Sequence, residues 1–210
     1  MTATLIQNFD RVLLRDISWQ TYQSLLKDFE QQPGMRLTYD RGLLEITKPL
    51  PPHETYKKLL GRFIEAFTEA FAIEIRSLGS LMCDREDLAR GLEPDQCYYI
   101  QNEAAVRNRD RLDLMQDPPP DLALEVDITS SSIDQLAIYA ALGVPEVWRY
   151  DGQALTIYHL AAGDYESHDR SLSLPQLTVS EVVRFLELRQ SMGETSLIRQ
   201  FRQWVITQLP

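Results

Sequence analysis

The sequence contains little cysteine and no long apolar run. Its 210 residues include two cysteines, Cys83 and Cys97, which are too few for a disulfide framework and lack the spacing of a zinc site. Charged residues interrupt every apolar stretch well before the roughly 18 residues that a membrane helix needs. No basic segment followed by an apolar one begins the chain. We therefore expect a cytoplasmic protein that has no membrane partner and buries both thiols.

Basic residues are also scarce. The 21 Lys and Arg residues stand against 31 Asp and Glu residues, so that the formal net charge is −10. A chain with this charge does not hold nucleic acid by overall attraction, because phosphate contacts need clustered Lys and Arg. Any nucleic-acid activity must therefore use a local basic patch, divalent cations or a partner.

Common phosphate-binding and nucleophile motifs are absent as well. Gly79 and Gly143 are isolated, so that the chain has neither a P-loop nor a dinucleotide-binding fingerprint. The hydroxyl run at residues 129–132 lacks the Gly-x-Ser-x-Gly pattern of a serine nucleophile, and we interpret it as a turn and helix cap. His159 and His168 lack ligand spacing and are interpreted as surface or packing residues.

Apolar spacing predicts alternating helices and strands. Helices are predicted at residues 18–29, 56–71, 178–188 and 197–205, with a further short helix that ends at Leu142 before Gly143. Strands at 35–39 and 43–47 are predicted to form a hairpin. Further strands are predicted at 73–78, 81–83, 97–100, 122–128, 145–150, 154–158 and near Tyr165. Residues 85–91 are predicted to form a charged turn or short helical loop. This order indicates an α/β or α+β fold with a mixed sheet, in a single domain spanning residues 1–210.

The strand at residues 122–128 has one apolar and one acidic face. Side chains alternate along a strand, so that Asp121, Glu125 and Asp127 point to the same side. Glu125 and Asp127 lie roughly 6–7 Å apart on that side, and burying both is costly unless a cation neutralises them. A hard ion such as Mg²⁺ satisfies this requirement. The alternatives are an edge strand with a solvated acidic face, or neutralisation by Arg side chains.

Two other residues are weaker candidates. Asp95 follows Pro94 at the entrance of a strand, where it is either a metal ligand or a turn residue. His53 opens the long helix on the side of its apolar stripe, and it either contacts a site or is a packed or capping histidine.

Three segments resemble the Uma-type restriction endonuclease family of the PD-(D/E)xK nuclease superfamily. They are Glu-Pro-Asp-Gln-Cys-Tyr-Tyr-Ile at 93–100, Pro-Pro-Pro-Asp-Leu-Ala-Leu-Glu-Val-Asp-Ile-Thr-Ser at 118–130 and Ile-Tyr-Ala-Ala-Leu-Gly-Val-Pro-Glu-Val-Trp-Arg-Tyr at 138–150. The resemblance runs over about residues 37–177 and leaves the N-terminal helix and a helical extension at 178–210 outside. It implies a restriction-endonuclease-like core, a mixed sheet with helices on both faces, and Mg²⁺-dependent phosphodiester hydrolysis.

The resemblance also implies roles for single residues. Asp95 matches the first acid of the family motif and Glu125 the second, which makes them the expected ligands of Mg²⁺ or Mn²⁺. The lysine that should follow is missing, because Asp127 stands at one of its two places and Gln135 at the other. Gln135 can orient a water molecule through hydrogen bonds but brings no charge, and Asp127 is a candidate additional ligand. Basic residues that could compensate are Arg85, Arg90, Lys57 and Lys58.

Three functions are compatible with these residues. The first is a Mg²⁺-dependent endonuclease acting on nucleic acid, with DNA favoured over RNA and a homodimer expected because two sites help to cut two strands. The second is a catalytically silent binding or assembly module, indicated by Gln135, Asp127 and the net charge. The third is a metal-dependent hydrolase of another phosphate substrate. A cleft in which Asp95 and Glu125 face each other beside Lys or Arg would count against the silent module.

Overall fold

The computed structural model describes residues 11–29, 34–48, 51–128 and 131–209. Within these ranges, two sheets contain strands β1 (Arg11–Leu14), β2 (Arg36–Asp40), β3 (Leu43–Thr47), β4 (Arg76–Leu78), β5 (Cys83–Arg85), β6 (Arg90–Leu92), β7 (Gln96–Tyr99), β8 (Leu122–Val126), β9 (Glu146–Tyr150), β10 (Leu155–Ala161) and β11 (Asp164–His168). The α-helices there are α1 (Trp19–Phe29), α2 (Pro51–Ala70), α3 (Glu103–Val106), α4 (Gln135–Leu142), α5 (Val179–Leu188) and α6 (Glu194–Ile206), and a 3-10 helix spans Glu86–Leu88.

The larger sheet has six strands in the order β11-β10-β9-β8-β7-β4. Strands β8 and β9 are parallel and the other neighbouring pairs are antiparallel, which confirms the predicted mixed sheet. Helix α4 lies in the crossover between β8 and β9, since parallel neighbours cannot be joined by a tight turn. All five residues of β8 are buried. Strand β8 is therefore an interior strand, and the alternative of a solvated edge strand is wrong.

Three helices cover one face of the larger sheet. In α2, Leu60, Phe63, Ile64 and Phe67 lie on one stripe at helical spacing and are completely buried. They form one apolar cluster with the even-numbered residues of β8 and with apolar side chains of α5 and α6. The alternation predicted for β8 is thus confirmed, because its apolar face is the one that packs against these helices.

Helix α4 occupies the opposite face, between the two sheets. Its Ile138 packs with Ala123 of β8 and with Cys83 and Leu92 of the second sheet. Gly143 ends α4 in the left-handed region at φ 79°, where a glycine was expected to stop the helix. The odd-numbered face of β8 therefore points toward the second sheet.

The second sheet is entirely antiparallel, with the order β1-β3-β2-β6-β5. The predicted hairpin forms β2 and β3, and α1 packs on them by stacking Tyr22 on Tyr39 with ring centroids 4.7 Å apart. The two strands predicted at 73–78 and 81–83 contribute to different sheets, as β4 and β5.

The prediction for residues 85–91 was wrong in part. This segment contains the 3-10 helix Glu86–Leu88, but it then enters β6, a strand of the second sheet. A strand of three residues is too short to show an alternating pattern in the sequence. Both cysteines are buried free thiols, as expected. None of the helices in the described ranges combines the length and apolar character needed to cross a bilayer.

Candidate active site

A cleft with a volume of about 100 Å³ lies between the two sheets, beside the first turns of α2 and α4. The four residues singled out from the sequence, Asp95, Glu125, Asp127 and Gln135, all line it. The second sheet and the start of α2 add Arg36, Glu45, Lys48 and His53, among others, to its walls. The fold thus assembles acidic and basic side chains from distant parts of the chain.

Asp95 precedes β7 and is almost completely buried, with 1 % of its surface exposed. One carboxylate oxygen, Oδ2, accepts a hydrogen bond of 2.7 Å from the backbone N–H of Val126 and lies 2.8 Å from His53 Nε2. The other oxygen, Oδ1, forms an ion pair with the Arg36 guanidinium but accepts no hydrogen bond from the described residues. The interpretation of Asp95 as a mere turn residue therefore does not describe its surroundings.

Glu125 lies on β8 and is buried beside Asp95. Its Oε1 atom accepts a hydrogen bond from the hydroxyl of Tyr139 on α4. Burial, followed by the charge of Asp95, raises the pKa of Glu125 to about 8, although Tyr139 and Arg36 act in the opposite direction. Near neutral pH, Glu125 therefore holds a proton that a cation in the cleft could replace.

Asp127 and Gln135 occupy the two places where a lysine was expected. Asp127 lies just beyond β8 and accepts a hydrogen bond from Arg149 of β9, so that its charge is already neutralised by an arginine. Gln135 is the first residue of α4 and lines the same cleft. The alternative that Arg side chains neutralise the acidic face of β8 is thus correct for Asp127.

The basic residues of the cleft differ from those proposed as substitutes for the lysine. Arg90 pairs with Asp40 at 2.8 Å, and Arg85 pairs with Asp87. Among the described residues, the cations that line the cleft are instead Arg11, Arg36 and Lys48. Arg36 precedes Asp95 by about 60 positions, and no motif in the sequence connects the two residues.

His53 lines the cleft, although the sequence pattern favoured a packed or capping histidine. Its Nε2 atom faces Asp95, and its Nδ1 atom lies 3.3 Å from Glu54 Oε1. His53 lies in the first turn of α2, and the packing of this helix by its apolar stripe places His53 at the edge of the cleft. Its position beside the apolar stripe was the only signal of this role in the sequence.

Glu45 holds the turn before α4 against the second sheet. Its carboxylate accepts hydrogen bonds from Ser131 Oγ at 2.6 Å and from the backbone N–H of Ser132 at 2.8 Å, and Arg11 Nε lies 3.5 Å away. Ser131 and Ser132 lie in the irregular segment that leads into α4, while residues 129 and 130 lie outside the described residues. The prediction that the described part of the hydroxyl run caps the helix is wrong, because the N-cap of α4 is Asp134, whose side chain accepts a hydrogen bond from the backbone N–H of Ala137.

The donor set of the cleft fits a hard divalent cation. Among the described residues, no group of three or more His, Cys, Asp and Glu side chains forms a complete metal site. Mg²⁺, however, is commonly held by one or two carboxylates, with water and substrate phosphate as the remaining ligands. Among the described residues, Asp95 Oδ1 accepts no hydrogen bond and pairs only with Arg36, while burial and the charge of Asp95 raise the pKa of Glu125. These two carboxylates are therefore the candidates to hold the ion.

The fold is that of a restriction-endonuclease-like nuclease. The family model described as "Uma2: Putative restriction endonuclease" matches residues 19–191, and the chain belongs to this family. The match extends beyond residues 37–177 at both ends and includes α1 and α5. Restriction-endonuclease-like proteins generally use a divalent metal, and a nuclease acts on nucleic acid.

A solved structure shares the fold. It is "a putative nuclease belonging to DUF820" from Anabaena variabilis ATCC 29413, with 17 % sequence identity and a TM-score of 0.51. The alignment covers 76 % of this chain and 97 % of the other. No curated protein matches the chain.

Proposed function

We propose that the protein is a Mg²⁺- or Mn²⁺-dependent endonuclease that hydrolyses phosphodiester bonds in DNA. The observation that carries this proposal is the meeting of Asp95 and Glu125 in one cleft beside Arg36 and Lys48. Carboxylates and cations together suit a phosphodiester, because the carboxylates hold the metal while the basic side chains offset the charge of the phosphate. An overall charge of −10 does not oppose this function when positive charge is concentrated at the cleft.

Each side chain of the cleft has a distinct task in this proposal. A divalent cation held by Asp95 and Glu125 would lower the pKa of bound water and offset charge on the phosphate. Val126 N–H and His53 keep the Asp95 carboxylate in position, and Tyr139 does the same for Glu125.

The remaining polar groups act on the water and on the substrate. Gln135 orients the attacking water through its side-chain amide. This amide stands at one of the places where a lysine was expected, but it carries no charge. Lys48, which is exposed at the edge of the cleft, attracts the phosphate. Asp127 remains paired with Arg149. It stabilises that side of the cleft and does not bind the metal. Two such sites help to cut both strands of a duplex, so we propose that two copies act as a homodimer.

Basic side chains beside Asp95 and Glu125 count against the catalytically silent module, but one ion pair favours it and keeps it as the second candidate. Arg36 already neutralises Asp95, as a structural cation would in a site that holds no metal. In that case the cleft binds its partner without cleavage. The two functions differ in whether the protein needs Glu125 and a divalent ion for an activity.

The test is cleavage of plasmid DNA and of single-stranded DNA with Mg²⁺ or Mn²⁺, compared with EDTA. Wild type is compared with Glu125→Ala and with Glu166→Ala, which removes an exposed carboxylate from β11 far from the cleft. We expect cleavage by wild type and Glu166→Ala with metal, and none by Glu125→Ala or in EDTA. Cleavage that persists in Glu125→Ala would remove this site from the reaction. Absence of cleavage by the wild type on both substrates would support the silent module.

A further inference from the structure

A second cavity, with a volume of about 360 Å³, adjoins the cleft. Arg36, Lys48 and Glu93 line both spaces, so that the two cavities are adjacent. Lys57 lines the second cavity and does not line the first. A phosphate in the second cavity would therefore lie next to the space in which the carboxylates meet.

The second cavity is locally basic in an acidic protein. Its charged lining residues are three cations, Arg36, Lys48 and Lys57, and two acids, Glu54 and Glu93. Glu54 is about half exposed and lies 3.6 Å from Lys57 Nζ, a separation at which water weakens the attraction between the two charges. Among the described residues of the lining, cations therefore outnumber acids by one, opposite in sign to the charge of −10 on the whole chain, although Arg36 also pairs with Asp95 of the cleft.

Helix α2 connects the two cavities. His53 and Lys57 are four residues apart and therefore lie on the same side of the helix, about 6 Å apart along its axis. His53 contacts Asp95 in the cleft, while Lys57 turns toward the second cavity. The backbone carbonyl of Lys57 accepts a hydrogen bond of 2.9 Å from Gln96 Nε2, which fastens this turn of the helix to β7. This hydrogen bond fixes the backbone of Lys57 relative to the cleft, while its side chain can still move.

We infer that the second cavity binds a phosphate of the nucleic-acid strand next to the phosphate that is cleaved. This inference rests on the proposed function and names Lys57, with the shared Lys48, as the residues that hold this neighbouring phosphate. A lysine contributes a flexible point charge that attracts phosphate without reading bases. The cavity thus adds affinity and fixes the strand relative to the carboxylates, but it adds no sequence specificity.

The chain contains a matched control for this inference. Lys58 is the next residue of α2, but it is exposed and lines neither cavity. Lys57→Gln and Lys58→Gln therefore remove the same charge from the same helix, and they differ in whether that charge faces the second cavity. Lys57→Arg keeps the charge and tests whether charge alone is sufficient.

The experiment measures binding of a short fluorescein-labelled DNA duplex by fluorescence anisotropy in EDTA, over a series of salt concentrations. For Lys57→Gln we expect weaker binding. The slope of the logarithm of the binding constant against the logarithm of the salt concentration should also be smaller in magnitude by about 0.9, the contribution of one phosphate contact in duplex DNA. Lys58→Gln should match the wild type, and Lys57→Arg should restore the wild-type salt dependence. Equal effects of Lys57→Gln and Lys58→Gln would overturn the inference.

Cleavage assays on the same proteins separate this inference from the proposed function. When metal-dependent cleavage is present, Lys57→Gln should raise KM and leave kcat near the wild-type value, because Lys57 contacts neither the metal ligands nor the reacting phosphate. If the wild type does not cleave but Lys57→Gln alone lowers the salt dependence of binding, the proposed hydrolysis is wrong and the phosphate site stands. A wild type that binds no DNA at any salt concentration would overturn the phosphate site, and one that also fails to cleave DNA with metal would overturn both proposals.

Discussion

Replacing Glu125 with glutamine should remove a pH-dependent loss of stability from the metal-free protein. Burial and the neighbouring Asp95 raise the pKa of Glu125 from 4.5 to about 8. Between these two values the unfolded chain has released this proton while the folded protein has kept it. The free energy of unfolding therefore falls as pH rises through this window, and below and above it the contribution of Glu125 is constant.

The size of the effect follows from the pKa difference. One pKa unit corresponds to about 1.4 kcal/mol, so that ionisation of Glu125 in the folded protein lowers the free energy of unfolding by up to about 5 kcal/mol. Glutamine has nearly the shape of glutamate and keeps an amide oxygen that accepts the hydrogen bond from Tyr139. It does not titrate, so its contribution stays constant with pH.

The assay is urea unfolding in EDTA between about pH 5 and about pH 9, for wild type, Glu125→Gln and the exposed control Glu166→Gln. We expect Glu125→Gln to gain stability relative to wild type by up to about 1.4 kcal/mol per pH unit until about pH 8. The control should keep a constant difference from wild type. A Glu125→Gln difference that is the same at every pH would refute the assignment of a raised pKa to this carboxyl.

Two further predictions concern the packing around the cleft. Tyr139→Phe removes the hydroxyl that donates to buried Glu125, so urea titration should show a loss of about 1–3 kcal/mol; Tyr158→Phe, outside the cleft, should show none. Gly61→Ala should lower Tm, because the added Cβ would lie 2.3 Å from Gln96 Oε1. A higher Tm would instead mean that the helix preference for alanine, about 1 kcal/mol, prevails.

Much of the fold could be predicted because its signals are local. The stripe in α2, the hairpin of β2 and β3, and the threonine cap of α5 depend on residues within one or two turns of each other. Thr178 accepts the hydrogen bond from the backbone N–H of Glu181 at 3.3 Å, the geometry of a helix N-cap. The division of the strands into two sheets was not predicted, because pairing between distant segments leaves no local pattern, and β6 was missed because it has only three residues.

The sequence likewise identified some residues of the candidate site and not others. Alternation along β8 places Glu125 on the face opposite the apolar one, and the family resemblance selects Asp95 from the acids of the chain. Neither argument identifies Arg36 as the partner of Asp95. The roles of Asp95 and Glu125 as metal ligands remain predictions that the cleavage assay tests.

Local patterns and the family resemblance were sufficient to find the strand that carries the acids, the helices that bury apolar stripes and the family to which the chain is similar. They could not show that arginines, rather than a lysine beside the acids, pair with the carboxylates. Arg36 meets Asp95 from another sheet, and Arg149 meets Asp127 from a neighbouring strand. A buried carboxylate is neutralised by whichever cation the packed elements bring within reach, and sheet order, rather than local pattern, sets which elements become neighbours.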